Sequence, residues 1–96
     1  MAVINKVKAP TVPYSHQATV GVAAAALPNQ ELPSGGCVLK ADAANAGTIY
    51  IGATGVTSST GYPLTAGQAV PLSIKNLVTV FAIASQASQK LHILGS

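Results

Sequence analysis

Arginine and tryptophan are absent from this 96-residue chain, and charge of either sign is scarce. Charged residues make up 7% of the chain, against about 25% in an average soluble protein. Without arginine there is no side chain for bidentate contacts to phosphate or guanine. The five lysines (Lys6, Lys8, Lys40, Lys75 and Lys90) form no basic run and no patch interleaved with aromatics. The formal charge of +3 arises because Glu31 and Asp42 are the only acids. Nucleic acid is therefore a disfavoured partner.

Cysteine is nearly absent as well. Cys37 is alone, which excludes an intramolecular disulfide and fits folding in a reducing cytoplasm. Beside Val38 and Leu39 it reads as a small buried hydrophobe. Long apolar runs are missing too. Val20 to Leu27 and Val80 to Ala84 fall far short of the roughly 20 residues that cross a bilayer, so no membrane partner is expected. The beginning, Met1 to Lys6, lacks the basic-then-apolar order of a secretory signal.

Groups that titrate or attack are few. His16 and His92 have no His, Cys, Asp or Glu at ligand spacing, so neither a metal nor a cofactor is expected. Asp42 and Glu31 both fall in or beside turns, where a solvated carboxylate is the ordinary outcome. The glycines at 52, 55 and 61 match neither G-x-x-x-x-G-K-[ST] nor G-x-G-x-x-G, and no G-x-S-x-G nucleophile turn occurs. These absences argue against an enzyme.

What is present is a series of short apolar segments between turn formers. Cys37, Leu39 and Ala41 alternate with Val38 and Lys40; Ile49 and Ile51 alternate with Thr48 and Tyr50; Val70, Leu72 and Ile74 alternate with Pro71, Ser73 and Lys75. Thr19 to Leu27, Val78 to Ala84 and Leu91 to Leu94 read as further strands, the first with one helical turn as its alternative. This spacing predicts an all-β fold, an antiparallel β-sandwich or jelly-roll-like barrel of about seven short strands. Pro71 predicts that its strand is at an edge or bulged. Pro10 and Pro13 mark residues 1–17 as an extended N-terminal arm or edge strand, with a short strand possible over Ala2 to Lys8. Residues 18–96 then form a single sandwich domain.

A folded surface this poor in charge suits a subunit packed against neighbours, because charge is depleted in the cores of interfaces. Contact candidates are Lys6, Lys8 and Tyr14 on the arm and, in the Gly/Ser/Thr loop from Gly52 to Gly61, Thr57, Ser58 and Ser59. Tyr62 follows that loop. Tyrosine offers contact area with a hydrogen-bonding tip, and the loop hydroxyls could face a sugar, a peptide or water.

The run from Ala44 to Ala84 resembles small structural proteins of tailed-phage virions. The matching pieces are N-A-G-T-I-Y-I-G, G-V-T-S-S-T-G-Y-P-L, A-G-Q-A-V-P-L-S-I and N-L-V-T-V-F-A-I-A, with Q-K-L-H-I-L near the end. The resemblance covers about half the chain and contains no site motif. It implies a non-enzymatic virion component with a β-sandwich fold. More specifically, it implies a capsid decoration (cement) protein that is made in the host cytoplasm and sits on the capsid surface. Its expected partners are itself, with a trimer favoured, and the major capsid protein. The competing reading is a tail or fibre component, such as a carbohydrate-binding module using the 52–62 loop.

Overall fold

The computed structural model describes residues 13–96. Eight strands build two four-stranded antiparallel sheets: β1 (Tyr14–Val20), β2 (Ala25–Ala26), β3 (Gly36–Ala41), β4 (Ile49–Gly52), β5 (Tyr62–Leu64), β6 (Ala69–Ser73), β7 (Phe81–Ala84) and β8 (Gln89–Gly95). No α-helix forms among the described residues. One sheet has the order β1-β8-β3-β6, and we call it the first sheet. The other, the second sheet, has the order β2-β7-β4-β5. Each strand of the first half pairs with its mirror strand in the second half: β1 with β8, β2 with β7, β3 with β6 and β4 with β5. Pairing of β3 with β8 and of β4 with β7 then rolls this one long hairpin into two layers. That order is the jelly roll, the second of the two architectures expected from the alternation.

The core follows from period-2 alternation. Cys37, Leu39 and Ala41 of β3 and Leu91 and Ile93 of β8 face Ile49 and Ile51 of β4 and Ala82 and Ala84 of β7, all buried. Leu39, Ile49, Leu77 and Leu91 have no exposed surface at all. Five of the nine facing side chains are Leu or Ile, and Cys37, Ala41, Ala82 and Ala84 fill the space between them. Burying a full Leu or Ile contributes about 1.5–3 kcal/mol each.

Three segments differ from the sequence expectation. Thr19 to Leu27 is not one strand, because β1 ends at Val20 and the chain crosses between sheets before Ala25. Gly21 marks the crossing, its carbonyl accepting from Ala84 N at 2.8 Å. The strand expected over Val78 to Ala84 begins only at Phe81, because Leu77–Thr79 is a 3₁₀ turn. Asn76 Oδ1 caps it by accepting from Val78 N at 2.9 Å, a local alternative to a ladder bond. Tyr62–Leu64, read as the exit of a loop, is the edge strand β5.

Pro71 does lie on an edge strand, β6. Of the segment expected as an arm, Tyr14 to Gln17 are paired along β8 as the first part of β1, which is an edge strand of the first sheet. The strand anticipated over Ala2 to Lys8 lies outside the described residues.

Candidate interaction surfaces

The four sheet edges are not alike. β6 carries Pro71 and β5 carries Pro63, each within the strand. β2 has only two residues and Pro28 follows closely. Proline and brevity both blunt an edge against strand addition. β1 has seven residues and no proline or lysine.

Between the blunted edges β5 and β6 the two layers diverge into a cleft of about 390 Å³. Tyr62 stands at its rim, 58% exposed, in the same cross-strand row as the buried Ile51. Half-buried Val70, Leu72 and Ile74 form the facing wall. Among the described residues no charged side chain lines the cleft. The alternation of Val70, Leu72 and Ile74 was legible in the sequence, but its consequence was not. These three pack against the core on one side and border the opening on the other.

The loop after β4 is held rigidly at its base. Val56, 5% exposed, packs between Gly52 and Gly61. A Cβ on Gly61 would sit 2.6 Å from Tyr50 Cβ and 2.9 Å from Val56 Cγ2, so only glycine allows this approach. Thr57 closes the tip. Its N–H donates to Thr60 Oγ1 at 3.0 Å, and its own Oγ1 accepts from Ser59 N and Thr60 N at 3.2 Å. The Thr57 hydroxyl is thus engaged inside the loop, while the Ser58 and Ser59 side chains face outward with exposed neighbours.

The remaining contact candidates are dispersed. Tyr14 lies on β1, at the opposite side of the sandwich from Tyr62, and stacks on His16 with ring centroids 6.0 Å apart and planes at 18°. Lys6 and Lys8 lie outside the described residues. Of the predicted contact residues, the structure groups only Thr57, Ser58, Ser59 and Tyr62, through the one loop and the strand it enters.

One pairing escaped the sequence reading. His92 Nε2 donates to Asp42 Oδ1 at 2.7 Å on the outer face of the first sheet. Asp42 also accepts from Ala44 N at 2.9 Å through Oδ2. The His92 hydrogen bond, then the Ala44 N–H, hold the Asp42 carboxyl below its ordinary value. Asn45 locks the same turn, its amide donating to Lys90 O and accepting from Lys90 N, both at 2.9 Å. Asp42 is therefore a structural partner and not the freely solvated carboxylate expected. The pairing needed the β3–β8 register, which no local pattern encodes. Among the described residues no hydroxyl hydrogen-bonds His92, and Glu31 lies beyond the other end of β3. No group of three or more His, Cys, Asp or Glu gathers among the described residues.

Cys37 is 6% exposed in the core, and burial pushes its thiol up. No family model, curated protein or solved structure matches this chain.

Proposed function

We propose that this chain is a non-enzymatic structural protein of a phage virion, a capsid decoration (cement) protein that binds and stabilises the head lattice. The uncharged cleft between β5 and β6 carries this reading. Its walls accept apolar side chains, its rim offers the exposed Tyr62, and its prolines prevent a partner from joining as an added strand. The occupant is an apolar side chain presented by the major capsid protein. A charged group there would lose its hydration without a partner.

The resemblance of Ala44 to Ala84 to tailed-phage virion proteins supports the same assignment. So does the jelly-roll order, which is frequent in viral capsid and lectin domains, though by analogy of fold alone. The hydroxyls of the 52–62 loop offer less to a glycan than their number suggests, since Thr57 and Thr60 satisfy each other.

Addition of purified protein to undecorated capsids tests the reading. Wild type should saturate the lattice, and Tyr62→Ala should bind at least tenfold more weakly with an unchanged circular dichroism spectrum. Equal binding by the two proteins removes the cleft from the assignment, and no binding by wild type removes the assignment itself.

A further inference from the structure

The first sheet ends on β1, whose edge lacks the guards carried by the other three. A free row of N–H and C=O groups is a template for another chain, so edges are usually blunted by proline, lysine or brevity. β6 and β5 carry Pro71 and Pro63, and β2 is two residues long. β1 runs for seven residues without proline or charge. β8 pairs with it on one side, and among the described residues no strand pairs with it on the other.

The surroundings of this edge select its occupant. Ser15, Gln17 and Thr19 face outward, opposite Leu94, His92 and Lys90 of β8. Lys90 reaches toward the edge, its Nζ donating to Thr19 Oγ1 at 3.4 Å, a contact at the weak limit of a hydrogen bond. Among the described residues it has no acid partner. Asp42, on the far side of Lys90 from β1, spends its two oxygens on His92 Nε2 and Ala44 N. At the other end of the outer row Leu94 is 53% exposed. On the inner side a notch of about 50 Å³ opens between β1 and β2, with Ala18, Val20, Ala25 and Leu27 in its walls. A cation, an exposed leucine and a small apolar notch thus border one free strand edge.

We propose that β1 receives an extended peptide of another protein as an added strand, with an acidic side chain opposite Thr19 and an apolar one opposite Ser15. Main-chain hydrogen bonds give strand addition its affinity, and alternate side chains give it specificity. Ser15 and Thr19 lie on one face with Gln17 between them, so in antiparallel pairing the peptide reads acid-x-x-x-apolar. The acid meets the Lys90 ammonium, and opposite charges across neighbouring strands favour pairing. A small apolar side chain opposite Ala18 enters the notch. The chain's own residues 1–12 include Lys6 and Lys8 and no acid, so they do not answer Lys90. A second copy pairing through its own β1 brings no acid either. The inference does not depend on the β5–β6 cleft, which lies at the opposite side of the sandwich. Its test needs no capsid, so its failure and that of capsid binding are read separately.

The test is amide exchange and NMR titration of the full chain with a capped peptide as long as β1. The peptide carries glutamate second, valine third and leucine sixth, with threonine elsewhere. In the free protein alternate amides of β1 should exchange rapidly. Saturating peptide should slow them by about tenfold or more and move the signals of β1 and β8 most. Replacing the glutamate by glutamine should weaken binding to wild type by about threefold and leave binding to Lys90→Gln unaltered. Slow exchange of every β1 amide in the free protein would mean that residues 1–12 or a second copy already cover the edge, and that overturns the inference. So does a peptide that fails to bind, that moves signals elsewhere, or that binds wild type equally with glutamate and glutamine.

Discussion

His92 on β8 donates to Asp42, the residue just past β3, at 2.7 Å, although fifty positions separate them. The bond pins the 42–47 turn to the sheet and lowers the Asp42 carboxyl. A group whose folded value is depressed stabilises the fold above its unfolded value, and that contribution is lost as pH falls through the folded value. Wild type should therefore exceed Asp42→Asn in melting temperature at pH 6, and the difference should vanish by pH 2. A difference that persists at pH 2 assigns the effect to shape and not to charge. Calorimetry at a series of pH values reads it.

Leu39 sits at the centre of the first sheet with no exposed surface. Truncating it to Ala should cost about 2–5 kcal/mol, a large part of the roughly 5–15 kcal/mol that holds a small domain together. The urea midpoint should fall sharply, with an unaltered slope.

Gly61→Ala tests the loop base. The added methyl meets Tyr50, Val56 and the Thr57 carbonyl at 2.6–3.1 Å. Overpacking of this kind costs about 1–3 kcal/mol. A lowered thermal melt of the variant beside wild type would register it.

Cys37 should be inert to Ellman's reagent in the native protein. It is buried, and its raised thiol leaves little thiolate at neutral pH. Reaction should become complete on adding denaturant, and the native rate should report opening of the core.

The strands were legible where alternation was strict. Cys37 to Ala41, Ile49 with Ile51, and Leu91 to Leu94 alternate apolar with polar, or buried with outward, and each is a strand with the expected face inward. Legibility failed where a side chain offered the backbone a local bond, as Asn76 does to Val78, and where alanines carry no period, as between Gly21 and Ala26. It failed again for the second sheet. Tyr50, Phe81 and Ile83 read individually as ordinary strand residues, and only the order β2-β7-β4-β5 gathers them on one side. Tyr62 was singled out from its neighbours in sequence, but the wall facing it comes from β6, beyond the reach of any local pattern.

The mirror pairing of strands also sets a timetable for synthesis. Tyr14 finds Gly95, and Val20 finds Gln89, so the earliest strand waits for the latest. At roughly 5–20 residues per second on the ribosome, that wait is on the order of ten seconds. β4 and β5 can meet first, and each later pair closes outside the one before. Throughout the interval β1 has no proline or lysine to deter a wrong match. A nascent chain of this design therefore depends on brisk translation or on a holding chaperone, and a slow codon between β7 and β8 should lower yield more than one between β4 and β5.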